Sequence, residues 1–118
     1  MTRRLTIFAT CYDKKGRYIS SAINSYKKTH PLQKYFADKV GHKDNIYLHA
    51  EIAALIKAGT QKVDSIVITR RYKNTSNLAL AKPCPICLEA LKAFKVKHIF
   101  YSTEEGMVKY DPTEHQIL

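Results

Sequence analysis

The sequence contains no long apolar run, and this absence excludes a class of protein. No stretch approaches the roughly 20 consecutive apolar residues that a membrane-spanning helix requires. Residues 1–4, which include Arg3 and Arg4, are followed by a segment too short and too mixed for the core of a signal peptide. We therefore expect a cytoplasmic protein that has no membrane partner.

Cysteine is scarce, with three copies at Cys11, Cys84 and Cys87. The odd number argues against a disulfide framework. Cys84 and Cys87 form a close pair, and in a reducing compartment such a pair is more often a metal or redox site. Cys11 falls in a predicted strand, where a free cysteine usually behaves as a small buried apolar residue.

Acidic residues are half as numerous as basic ones, with 10 Asp and Glu against 20 Lys and Arg, so the formal net charge is +10. No block of five like charges occurs, and the positive charge is spread along the chain. This balance favours anionic partners, either a phosphate-bearing small molecule or a nucleic acid, but a solvated basic surface fits it equally well. The 118 residues, 45% of them apolar, suit one domain over residues 1–118 with its own core.

Alternating strands and helices are predicted from the apolar pattern and the turn signals. Strands are predicted at residues 4–11, 17–24, 63–69, 96–101 and 107–110. Helices are predicted at residues 32–40, 49–58 and 85–95. This order indicates an α/β sandwich, and the Ile-Val-Ile run in residues 63–69 is typical of a strand covered on both faces.

Two short motifs, H-x-E from His49 and P-C-x-x-C from Pro83, carry the chemistry. Cys84 and Cys87 stand at a predicted helix start, where backbone N–H groups stabilise thiolates and suit either redox or metal chemistry. His49, at the start of another helix, adds a nitrogen ligand. Three protein ligands are typical of a catalytic zinc site, whereas a structural site uses four. Glu51 is then left to exchange protons with a zinc-activated water.

This pair of motifs resembles the signature of zinc-dependent nucleobase deaminases, specifically the cytidine and deoxycytidylate deaminase superfamily. The resemblance covers residues 4–103. It implies a three-layer α/β/α sandwich with a central mixed sheet of four to five strands, and frequent homo-oligomers. It also implies hydrolytic deamination, in which Zn²⁺ is held by His49, Cys84 and Cys87, and Glu51 is the proton shuttle.

The resemblance extends to the substrate site. Asn24 resembles the asparagine that holds the ribose in related enzymes. Ala50 and Pro83 would supply backbone contacts and part of the pocket wall. The stretch after Tyr101 is shorter than the family pattern, so the motifs do not fix the contacts that choose the base.

Three functions remain open at this point. The first is hydrolytic deamination of a cytosine-bearing nucleotide, deoxycytidylate-like, which the positive charge and Asn24 favour. The second is deamination of cytosine or adenine within single-stranded DNA or RNA, including tRNA. The third is a zinc-containing nucleic-acid-binding module without catalysis, which needs a fourth ligand, Cys11 or His98.

Some residues bear on the choice among these functions. Tyrosines near the pocket would stack on unpaired bases and so favour a nucleic-acid substrate. The candidates are Tyr26, Tyr35, Tyr47 and Tyr72. A basic stretch on the predicted connection between residues 70 and 82 could contact phosphate. It consists of Arg70, Arg71 and Lys73.

Overall fold

The chain folds into one mixed sheet with helices packed against it. A computed structural model describes residues 6–44, 46–72 and 77–111. In chain order the elements are β1 (Thr6–Tyr12), β2 (Tyr18–Ile23), α1 (Pro31–Lys39), α2 (Ala50–Ala58), β3 (Ser65–Arg71), β4 (Leu78–Ala79), α3 (Pro85–Ala93), β5 (His98–Thr103) and β6 (Gly106–Lys109). No helix in these ranges has the length and apolar character needed to cross a membrane.

The sheet has the strand order β2-β1-β3-β5-β6, and β4 pairs with β3 outside this path. β1 is antiparallel to both β2 and β3, whereas β3 and β5 are parallel. A parallel pair needs a long crossover, which α3 provides here. The predicted α/β class and mixed sheet are confirmed, with six strands in the described ranges where four to five were expected.

The helices of the described chain pack on one face of the sheet, because alternate strand residues bury their side chains there. Ala9 and Cys11 of β1 and Ile66 and Ile68 of β3 are fully buried, in one core with residues of all three helices. On the opposite face Phe8 is 44% exposed. The prediction that the Ile-Val-Ile strand β3 is covered on both faces is therefore wrong. The described helices form one layer on the sheet, where the expected three-layer α/β/α sandwich has a second helical layer on the opposite face.

Helix starts position the two sequence motifs. α2 begins directly after His49 and ends at Gly59, whose φ of 62° is readily adopted only by glycine. α3 begins directly after Cys84, and Pro85 occupies its first turn, where the missing N–H costs no hydrogen bond. The predicted placement of both motifs at helix starts is confirmed.

A short hairpin forms where a polar connection was predicted. Arg70 of β3 pairs with Ala79 of β4. The fully buried Ser102 of β5 holds this pair, because its hydroxyl donates to Ala79 O at 2.7 Å and accepts the Arg70 N–H at 3.0 Å. Ala81 N–H donates to Ser102 O at 2.9 Å. These bonds fix the segment that leads into Cys84.

Candidate metal centre and active-site pocket

The side chains of His49, Cys84 and Cys87 meet between the starts of α2 and α3. His49 Nδ1 lies 3.2 Å from Cys87 Sγ and 3.5 Å from Cys84 Sγ. All three ligand atoms lie within 4.8 Å of one another. Tetrahedral zinc, with Zn–N near 2.0 Å and Zn–S near 2.3 Å, places nitrogen and sulfur ligands about 3.5 Å apart. The spacing and the ligand types therefore fit one zinc ion.

Electrostatics in this group favour a bound cation. The hydrogen bond from Cys87 lowers the pKa of Cys84 to about 4. The same contact, together with burial, raises the pKa of Cys87 well above its ordinary value. Burial opposes a charged His49, but its hydrogen bond and charge interaction with Cys84 leave the histidine pKa raised. Two thiols that share a proton beside a histidine are a set that zinc would deprotonate.

The described ranges supply three ligands to this group and no fourth. The candidates for a four-ligand structural site, Cys11 and His98, lie on strands β1 and β5 and are not part of the cluster. Cys11 is fully buried, as predicted. Three ligands with one open coordination position are the pattern of catalytic zinc sites.

Glu51 occupies the first turn of α2 and is only 5% exposed. Burial raises the pKa of its carboxyl group. The side chain lines the same pocket as His49 and Cys84. A buried carboxyl that borders a pocket and is not one of the three metal ligands is suited to proton transfer.

A pocket of about 340 Å³ opens at these residues, within the size range of small-molecule sites. Backbone bonds join its flanking loops, since Ser25 N–H donates to Leu48 O and Leu48 N–H donates to Lys28 O, each at 2.9 Å. Besides Glu51, His49 and Cys84, the lining residues are Ile7, Asn24, Ser25, Tyr26, Tyr47, Arg70, Leu80, Ala81 and Lys82.

Of the residues predicted to contact substrate, Asn24 lines this pocket. The side-chain Oδ1 of Asn24 accepts the Ile7 backbone N–H at 3.0 Å, and the Asn24 backbone N–H donates to Ile7 O at 3.1 Å. Because an N–H group must meet an oxygen, this bond fixes the amide orientation and leaves the NH₂ group to donate to a ligand. Ala50 and Pro83 are buried and are not among the lining residues. Their substrate contacts stay predictions.

The tyrosines proposed for stacking divide into two groups. Tyr26 and Tyr47 line the pocket and are 45% and 48% exposed. Tyr35 lies on α1 with its ring edge-on to Phe36, and Tyr72 follows β3. Neither of these two is among the lining residues. Of the proposed basic stretch, Arg70 lines the pocket and Lys73 lies outside the described residues.

Gln33 is a site residue that the sequence pattern did not reveal. It lies on α1, is fully buried, and its Oε1 accepts the His49 N–H at 3.1 Å. This bond ties α1 to the start of α2. The only sequence signal is a polar residue within an amphipathic helix, which ordinarily lies on the solvent side.

Replacing Gln33 with Leu is expected to lower the free energy of unfolding by about 1–3 kcal/mol, because the His49 N–H would lose its partner. Urea unfolding of both proteins measures the difference. Lys34→Leu, at the exposed neighbouring position, is the control and should change stability by less than about 0.5 kcal/mol. Equal stability of Gln33→Leu and the unmodified protein would contradict the role assigned to this bond.

The family of the chain follows from one comparison. A sequence model of the cytidine and deoxycytidylate deaminase zinc-binding region matches residues 3–103. No sequence among the curated proteins matches the chain. The matched range is most of the 118 residues, and it contains the three side chains whose spacing fits zinc. The chain therefore belongs to the cytidine and deoxycytidylate deaminase family and is a zinc-dependent deaminase.

Proposed function

We propose that the protein catalyses hydrolytic deamination of a cytosine-bearing nucleotide, deoxycytidylate-like, to its uracil form with release of ammonia. The observation that carries this proposal is the buried Glu51 beside a three-ligand zinc group, in a pocket that Asn24 also lines. The homo-oligomeric state and the cytoplasmic location stay predictions.

Different residues of the pocket are assigned to metal binding and to proton transfer. His49, Cys84 and Cys87 would hold zinc, which would supply the Lewis acidity that lowers the pKa of a water molecule toward neutrality. Glu51 would accept a proton from that water and deliver it to the ring nitrogen while the water oxygen bonds to the amine-bearing ring carbon. Glu51 would then take the remaining proton of the added hydroxyl and deliver it to the amino group, so that the C–N bond breaks, ammonia leaves and the carbonyl of the uracil form is made. Burial raises the pKa of the Glu51 carboxyl group, and a raised pKa makes a carboxylate a stronger base for accepting the proton of water.

Asn24 is assigned to substrate orientation. Its Oδ1 is engaged by the Ile7 N–H, which holds the amide in one position and leaves its NH₂ donors for a sugar hydroxyl. With the amino end of the base beside Glu51 and the sugar at Asn24, the reacting carbon is held in place during proton transfer.

Deamination within single-stranded nucleic acid is the second candidate. The half-exposed rings of Tyr26 and Tyr47 at the pocket and the net charge of +10 favour it, because aromatic platforms and basic surfaces bind unpaired strands. The mononucleotide comes first because the described pocket has the size of a small-molecule site.

A substrate panel tests the proposal. Zinc-loaded protein is incubated with deoxycytidine, deoxycytidine 5′-monophosphate, the cytidine equivalents, and single-stranded DNA and RNA containing cytosine or adenine. We expect uracil product and ammonia from a mononucleotide. Turnover of oligonucleotides alone would establish the second candidate. Zinc-loaded protein that is inactive on every member would favour the non-catalytic zinc module.

A further inference from the structure

Arg70 and Lys82 are two cations in the described pocket lining that the deaminase motifs do not explain, and Arg70 is the one placed by the sheet. It pairs with Ile7 across β3 and β1, and Ile7 is hydrogen-bonded to Asn24. Asn24, Ile7 and Arg70 thus form one row across the end of the sheet, and all three line the pocket. Two strand spacings separate Asn24 from Arg70, about 10 Å between their Cα atoms.

The guanidinium of Arg70 has donors that the described chain does not satisfy. Its Nη1 donates to Leu80 O at 3.3 Å. Its Nε is buried and has no hydrogen-bond partner in the described ranges. The two ion pairs in the described ranges are formed by other residues and do not involve Arg70. A buried donor without a partner costs free energy, and an acceptor from outside the described chain would reduce that cost.

Charge across the pocket indicates what that acceptor is. Glu51 is the one carboxylate among the described lining residues, whereas Arg70 and Lys82 are both cations. A guanidinium presents a planar fork of donors that matches two oxygens of a phosphoryl group. A neutral base carbonyl would use one of these donors and would leave the positive charge without a counterpart.

We propose that Arg70, assisted by Lys82, forms the subsite for the phosphoryl group of the substrate, which makes the protein selective for a nucleoside monophosphate over the nucleoside. This inference rests on the proposed function, which places the base at Glu51 and the sugar at Asn24. Arg70 stands on the far side of Ile7 from Asn24, where a group attached to the sugar can reach it.

Kinetics with a matched pair of substrates test the subsite. For Arg70→Gln we expect kcat/KM for deoxycytidine 5′-monophosphate to fall about 10- to 100-fold, the effect of losing a charge-assisted hydrogen bond. The value for deoxycytidine should change less than about twofold, and Arg70→Lys should restore part of the loss. Arg71→Gln is the control, because it removes the same charge at an exposed neighbouring position outside the pocket lining.

An equal loss on both substrates, or no loss on either, would overturn the proposal. If the monophosphate is not turned over and Arg70→Gln weakens only the deamination of an oligonucleotide, the recognised anion is a backbone phosphodiester, and the mononucleotide proposal is wrong.

Calorimetry separates failure of the subsite from failure of the proposed function. Zinc-loaded protein carrying Glu51→Gln is titrated with deoxycytidine 5′-monophosphate and with deoxycytidine. We expect the monophosphate to bind more tightly, and the difference to vanish when Arg70→Gln is added. This measurement needs no turnover, so it tests the subsite even if no cytosine compound is a substrate. Equal affinities in the presence of Arg70 would overturn the inference.

Discussion

Glu51→Gln is expected to lower kcat for deamination by about 10²- to 10⁴-fold while zinc stays bound, since this is the usual contribution of a positioned acid–base group. Glutamine has nearly the same shape but does not exchange protons. Because Glu51 is not one of the three ligands in the metal group, the zinc content should remain about one per chain. Ammonia release and metal analysis on one preparation measure both quantities.

The stability of Glu51→Gln distinguishes catalysis from a structural role. Burial penalises the ionised carboxyl and raises the pKa of Glu51, and glutamine removes this penalty. We therefore expect the variant to be at least as stable as the unmodified protein in urea. Glu104→Gln, the same chemical change at an exposed turn, should leave activity intact. An active Glu51→Gln enzyme would show that another group moves the protons.

The metal group was predictable from the sequence because its geometry is largely local. His49 and Cys84 precede helices that start where the apolar pattern starts. Cys87 follows one turn later, so its sulfur shares a face with that of Cys84. Only the approach of His49 to the two cysteines is long-range. It was predicted because a catalytic zinc site needs three protein ligands around one ion.

The residues that the sequence did not reveal act through long-range hydrogen bonds. Ser102 holds Arg70 and Ala79, which are distant from it in sequence, and so converts a polar connection into a hairpin at the pocket. Gln33 holds His49 across a loop. None of these three hydrogen bonds leaves a periodic signal, because a polar residue in an amphipathic element ordinarily lies on the solvent side.

For the sheet, the sequence predicted more burial than the structure has. An Ile-Val-Ile run is typical of strands buried on both faces, yet only Ile66 and Ile68 are fully buried, and Val67 between them is partly exposed. Strand alternation places Val67 on the face where Phe8 is exposed. The apolar composition of a strand indicates a preference for burial. Whether a helix packs on each face of the sheet depends on the rest of the chain.

Cys87→Ala is expected to reduce the zinc content from about one per chain to near zero and to abolish deamination, because two ligands do not complete a zinc site. Cys11→Ala is a closely matched control. Both cysteines are fully buried with 0% exposure, and the same atoms are lost, so the cavity created in the core is similar. Only Cys87 belongs to the metal group, so Cys11→Ala should retain zinc and activity.

Urea unfolding adds an independent measurement to this pair. Zinc bound to the folded state stabilises it by mass action, so Cys87→Ala should be less stable than Cys11→Ala when zinc is present. The difference should shrink when both proteins are treated with a chelator, because the metal contribution is then removed from each. If Cys87→Ala kept a full equivalent of zinc, the ion would be bound elsewhere, and the active-site assignment built on His49, Cys84 and Cys87 would be wrong.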